Sequence, residues 1–188
     1  MNVTPLPVET NEQRSNAFHH HLQAAGLRVK EHNLLVRNSD QMEGAPYLSI
    51  DIYLDHIRSA HNVGSIFRTV EALRLGKIFL SEQTPTPDHK QVRDAGMGAC
   101  EWVEWAVGKP ERRPLIVLET ADSAVPLADF TFPESFALVM GNEEYGCSEE
   151  MLQTADHLIE IPLFGRKNSL NVANAFAIVA SEIRKKGA

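Results

Sequence analysis

Phe136-Ala-Leu-Val-Met140 runs without a linker into Gly141-Asn142-Glu143-Glu144-Tyr145-Gly146. A short apolar run with no polar alternation is the mark of a strand buried on both faces, as in parallel sheets covered by helices. The two glycines permit a tight turn and a close backbone approach to a ligand. The same pattern recurs on either side. Leu48–Leu54, Lys77–Leu80, Glu101–Val107, Leu115–Leu118 and His157–Ile161 predict further strands. Between them, Val63–Leu75 predicts a helix with Ile66, Phe67, Val70 and Leu73 inward and Gly76 as its stop. His89–Met97, Ser148–Ala155 and Ser169–Arg184 predict three more. Strands alternating with helices indicate an α/β fold, a mostly parallel sheet flanked by helices. The last helix is apolar around most of its circumference from Val172 to Ala180, so burial on more than one side is expected, part of it against a second subunit.

Residues 1–47 form a polar N-terminal extension, with a helix expected over Asn11–Ala25 and a turn-rich connector over Asn38–Pro46. The main domain is assigned to 48–188. A chain of 188 residues with 43% hydrophobic and 23% charged residues suits one soluble globular domain. No run approaches the roughly 18 apolar residues of a membrane span. Met1–Gln13 lacks the basic and apolar regions of a signal peptide. The only cysteines, Cys100 and Cys147, cannot build a disulfide scaffold, so a cytoplasmic setting is expected, with both thiols packed as small apolar groups. The net charge of −7 excludes a broadly basic nucleic-acid binder and leaves only a local patch for that role.

Several chemistries are absent. There is no phosphate-binding loop, dinucleotide fingerprint or HExxH, and Gly96-Met-Gly98 is a bare GxG. Gly146-Cys-Ser148 lacks the nucleophile-elbow pattern. His19-His20-His21 cannot converge on one ion from a helix, so no metal is expected. Glu143 and Glu144 are adjacent on a turn and do not form a glycosidase-like pair.

Three polar islands follow apolar strands, where ligands of open α/β sheets bind. They are His61-Asn62-Val63-Gly64-Ser65-Ile66-Phe67-Arg68-Thr69, then Gly141–Gly146, then Ile161-Pro162-Leu163-Phe164-Gly165 leading to Ser169-Leu170-Asn171-Val172. Each alone reads equally as a capped helix start or an ordinary strand-to-helix loop. In this order and spacing they resemble the motifs of the SpoU/TrmH-like branch of SPOUT methyltransferases, over roughly residues 48–186. The family commonly has serine after Asn-Val, where this chain has Ala173.

The resemblance implies a C-terminal trefoil knot, a homodimer with the active site near the interface, and S-adenosylmethionine as cofactor, leaving as S-adenosylhomocysteine. It implies methyl transfer to a ribose 2′-hydroxyl of tRNA or rRNA. Cofactor contacts are then expected from Leu118, Glu119, Thr120, Met140, Gly141, Asn142, Ile161, Leu163, Ser169 and Leu170. The catalytic group is expected to be Arg68, Asn62, Glu143, Ser169 and Asn171. The family mechanism casts the Arg68 position as activator of the hydroxyl, even as its base. A guanidinium, with a pKa above about 12, suits a phosphate clamp better. Glu143 is expected to orient, by accepting from Asn62 or a backbone amide. Arg58, Arg68, Arg166 and Lys167 are candidate RNA contacts, with Arg14 and Arg28 in the extension. A base or small-molecule acceptor, a non-catalytic RNA binder and a generic nucleotide-binding domain are the alternatives.

Overall fold

The computed structural model describes residues 46–186. The expected Asn11–Ala25 helix, the histidine run, Arg14 and Arg28 lie outside the described residues.

The chain alternates β1 (Ser49–Leu54), α1 (Ala60–Leu73), β2 (Gly76–Leu80), α2 (Lys90–Gly96), a 3-10 turn (Ala99–Glu101), β3 (Trp105–Val107), β4 (Leu115–Leu118), β5 (Val125–Pro126), β6 (Ser135–Met140), α3 (Glu149–Thr154), β7 (His157–Glu160) and α4 (Val172–Lys186). The strands form one seven-stranded sheet in the order β3-β2-β1-β6-β4-β7-β5. Every pairing is parallel. Alternation along the strands divides the core. Ile52, Leu54, Ile116, Leu138 and Ile159 pack with Phe67 of α1 and Phe176 of α4. Tyr53, Val117, Val139 and Leu158 pack with Met151 of α3 on the opposite face.

The amino ends of the central strands are fastened by Arg112. Its Nη1 donates to Ser49 Oγ at 2.9 Å and Ser135 Oγ at 2.8 Å. Its Nε stands 3.1 Å from the buried Asp51 carboxylate, an ion pair without hydrogen-bond alignment. The carboxyl ends are left to loops. From β1 the chain proceeds to β2 on one side, and from β6 to β7 on the other. The loops after these two neighbouring strands therefore leave in opposite directions.

Several boundaries differ from expectation. α1 begins earlier, capped by Ser59, so Asn62 lies inside the helix and does not cap it. α1 also ends before Gly76, through Arg74 in the left-handed region at φ 51. The amide of Leu75 then returns to Val70 O at 3.1 Å, the closing bond of a helix end. Gly76 instead lets β2 approach β1, since a Cβ there would stand 1.9 Å from Ile50 O. The strand expected over Glu101–Val107 shrinks to Trp105–Val107, paired only with Ile78–Leu80 of β2. The helix expected from Ser169 starts at Val172, because the Asn171 side chain accepts from the amides of Ala173 and Asn174. β5 was not legible, being two residues with a proline at the sheet edge. α4 buries Val172, Phe176, Val179, Ala180 and Ile183 along one side, leaving Ala177 and Ile178 open.

Candidate active site

The Gly141–Gly146 turn is tightly built. Asn142 and Gly146 exchange backbone bonds of 2.8 and 3.0 Å. Asn142 Oδ1 accepts from the amides of Glu144 at 2.8 Å and Tyr145 at 3.1 Å, while its Nδ2 donates to His56 O at 2.6 Å. Both glycines are required. A Cβ on Gly141 would stand 2.4 Å from the Cys147 amide nitrogen, and Gly146 adopts φ +73 against the Glu119 carboxylate. Glu119 in turn accepts from the amides of Cys147 at 2.9 Å and Thr120 at 3.0 Å. Asp55, absent from the expected site, accepts from the Ser148 amide at 2.7 Å and fixes the start of α3. Its signal was an acid directly after the β1 apolar run.

Glu143 reaches across to α1. Its carboxylate accepts from the amides of Arg58 at 3.0 Å and Ser59 at 3.1 Å and from Asn62 Nδ2 at 2.8 Å. Asn62 Oδ1 accepts from Asn171 Nδ2 at 3.1 Å, and Asn171 Oδ1 caps α4. One relay, Glu143–Asn62–Asn171, therefore joins all three polar islands. Asn62 is buried and spends both ends of its amide on this relay. Burial pushes the Glu143 carboxyl up, but the Arg58 amide, the Asn62 side chain and the Ser59 amide outweigh it and hold it below its ordinary value. Asp156 is held low by the Leu115 amide, which with Arg113 outweighs an opposing desolvation.

A carboxyl whose folded pKa is depressed adds stability above its unfolded pKa and loses it as pH falls through the folded value. Unfolded carboxyls titrate near about 4. The thermal midpoint is therefore expected to hold above about pH 5 and to fall below about pH 4. The Glu143→Gln, Asp156→Asn double variant should show a shallower acid limb. An acid limb identical to that of the parent protein would disprove the assignment.

A cavity of about 350 Å³ opens at the carboxyl ends of β4, β6 and β7. Leu118, Glu119, Thr120, Met140, Gly141, Asn142, Ile161, Leu163, Ser169 and Leu170 all line it. Val172 of the third island also lines it, as do Glu160, Asn168 and Ala175, which were not expected. They flank the motif positions, and nothing in the residue types marks them. Exposed aromatic surface borders the mouth: Tyr145 is 77% exposed, and Phe164, next to Leu163, is 98% exposed. Cys147 is buried, and burial, then Glu119 and Asp55, push its thiol far above the usual range, away from the thiolate form that a nucleophile needs. Among the described residues no group of His, Cys, Asp or Glu is placed to hold a metal. No helix among them is long and apolar enough to cross a membrane.

The expected cations are not gathered at the cavity. Arg68 is exposed, with Nη1 2.8 Å from Met97 Sδ at the end of α2. Six helical residues put it roughly 240° around and about 9 Å along α1 from Asn62. Arg58 pairs with Glu144 at 2.8 Å, both side chains exposed. Arg166 and Lys167 are exposed in the loop before α4. Ser169 lines the cavity but stays out of the Glu143–Asn62–Asn171 relay.

Fold and site define a class: a parallel α/β protein with a ligand cavity walled by the loops of β4, β6 and β7, fastened by an amide–carboxylate relay to the first helix. The SpoU rRNA Methylase family matches residues 49–181, and the chain belongs to that family. It is 26% identical over 147 residues to a tRNA (guanosine(18)-2'-O)-methyltransferase of Escherichia coli, covering 73% of this chain and 63% of that protein. It is 27% identical over 160 residues to a 23S rRNA (guanosine-2'-O-)-methyltransferase of Neisseria meningitidis, covering 80% and 64%. The crystal structure of an AdoMet-bound rRNA methyltransferase from Sinorhizobium meliloti is similar with a TM-score of 0.68 and 27% identity, over 76% of this chain and 59% of that one. The chain thus spans a little under two thirds of each of these relatives.

Proposed function

We propose that residues 48–188 transfer the methyl group of S-adenosylmethionine to a ribose 2′-hydroxyl of tRNA or rRNA, releasing S-adenosylhomocysteine. What carries this assignment is the Glu143–Asn62–Asn171 relay beside the cavity. It holds the first island against the two loops that would bind the cofactor.

The cavity fits the cofactor on its own chemistry. Leu118, Met140, Ile161, Leu163, Leu170 and Val172 offer apolar walls for a base, and Glu119, Glu143, Glu144 and Glu160 make the lining acidic, which suits a cation. The tight Gly141 turn brings backbone groups to the wall. When bound, the cofactor supplies a methyl already activated on a sulfonium. The protein must align the 2′-oxygen with it and stabilise the charge that develops as the hydroxyl loses its proton. Asn62, Asn171 and Glu143 orient the first island. Arg68 clamps a neighbouring RNA phosphate and makes the hydroxyl more acidic by its charge. Ser169 shapes the loop around cofactor and nucleotide. Arg58, Arg166 and Lys167 add phosphate contacts, so binding on this acidic chain should weaken steeply with salt.

The working unit we propose is a cytoplasmic homodimer, consistent with two free thiols. The open Ala177 and Ile178 on α4, and Leu170 at the cavity, support a second subunit there. The position of Arg68 away from its own chain's cavity supports a site completed across that interface. For the C-terminal third we adopt the trefoil knot. The placement of β6 between β1 and β4, with β7 beyond β4, supports it.

A substrate RNA carrying a single 2′-deoxy nucleotide at the target tests the acceptor. Methylation is expected to vanish. Undiminished methylation would move the acceptor to the base.

A further inference from the structure

Four carboxylates line the cavity, and three are committed to protein donors. Glu119 accepts from Cys147 and Thr120, Glu143 from Arg58, Ser59 and Asn62, and Glu144 from the Arg58 guanidinium. Glu160 differs. Its carbonyl accepts from the Leu127 amide at 2.8 Å, but its half-buried carboxylate has no hydrogen-bond or ion partner among the described residues.

The sheet register explains its position. Leu118 of β4 lies beside Ile159 of β7, and the Glu119 amide extends the ladder to Ile159 O at 3.0 Å. Side-chain alternation then sets Glu119 and Glu160 on the face that carries Val117 and Leu158. Like charges on adjacent strands repel. For Glu119 two amides offset this, and for Glu160 the described residues supply no donor. A partly desolvated carboxylate without donors is unfavourable until a ligand brings them.

We infer that Glu160 accepts the two ribose hydroxyls of the adenosyl cofactor, the polar anchor of that ligand's sugar. This rests on the cofactor reading above. A carboxylate presents two coplanar oxygens, which match the two donors of a vicinal diol. Glu160 also directly precedes Ile161, part of the apolar wall suited to the base, and the sugar is the group bonded to that base. The ammonium of the methionine arm lies at the other end of the ligand.

Calorimetric titration of the full-length protein and of Glu160→Gln with S-adenosylhomocysteine and with 5′-methylthioadenosine tests this. The second ligand keeps the ribose and lacks the amino-acid arm. The variant is expected to bind both about tenfold more weakly, the scale of one charged hydrogen bond. Its thermal midpoint should stay near that of the parent. For the parent protein, 2′-deoxy and 3′-deoxy forms of the second ligand should lose affinity, and the Glu160→Gln loss should not add to theirs. Weakening of S-adenosylhomocysteine alone would assign Glu160 to the ammonium and overturn the ribose contact. Unchanged affinity for both would remove Glu160 from recognition. Failure of the parent protein to bind either ligand would instead sink the cofactor reading, and this inference with it.

Discussion

Arg68→Ala is expected to cut methyl transfer by about 10²–10³-fold, the usual effect of removing one group that stabilises developing charge. Affinity for S-adenosylhomocysteine should stay within a few-fold, because Arg68 does not line the cavity. Stability should barely move, since the side chain is exposed and its one polar contact among the described residues is a thioether. This separation of rate from binding is what distinguishes a clamp on the RNA from a cofactor ligand. A loss of cofactor affinity by orders of magnitude would contradict the role. The variant also reports on subunit composition. If Arg68 serves the cavity of the second subunit, a mixed dimer of Arg68→Ala with a cavity-defective chain holds one complete site and regains activity. If each chain uses its own Arg68, the mixed dimer holds none and stays inactive.

Gly141→Ala is the natural cavity-defective partner and should be the most damaging single methyl in the site. The added Cβ would meet the Cys147 nitrogen at 2.4 Å and the Gly146 carbonyl carbon at 2.5 Å. Both are backbone atoms, so no side chain can yield. The turn must open, breaking the Asn142–Gly146 bridge and displacing Glu119 and the start of α3. Such overpacking costs about 1–3 kcal/mol. At about 2–4 °C per kcal/mol for a chain of this size, the midpoint should fall measurably. S-adenosylhomocysteine binding should be lost, because the turn forms one wall of its cavity. Gly165→Ala is the control. Nothing lies within 4 Å of a Cβ there, so its midpoint should match the parent protein. Equal midpoints and equal cofactor binding for Gly141→Ala and the parent would contradict the packing account.

The contrast between these residues shows what a sequence can carry. Gly141–Gly146 and Ile161–Asn171 were legible because short buried strands advertise themselves, and glycines and asparagines mark the turns that follow. The hydrogen-bond partners of Glu143 match expectation too. The resemblance implies an acceptor there for Asn62 or a backbone amide, and the carboxylate accepts from Asn62 at 2.8 Å and from the amides of Arg58 and Ser59. Helix ends were read less well. Gly76 resembled a stop, but its backbone is needed by β1, a contact 26 positions away in the chain that no local pattern encodes. Glu160 was invisible for the same reason. Its significance lies in what the neighbouring strand spends on Glu119, not in its own surroundings along the chain. For Arg68 the family resemblance supplies the catalytic expectation, and local sequence says nothing of the direction it faces. One turn count on a helix places it on a different face from Asn62.

The central claim is that the cavity and its relay serve methyl transfer to RNA ribose. The most direct test incubates the purified protein with radiolabelled S-adenosylmethionine and total RNA from a strain lacking the gene, then digests the RNA to nucleosides. A single labelled 2′-O-methyl nucleoside, in the tRNA or rRNA fraction and absent with Arg68→Ala, is the expected result. Label in a base-methylated nucleoside, or no label in any RNA from a protein that binds the cofactor, would contradict it.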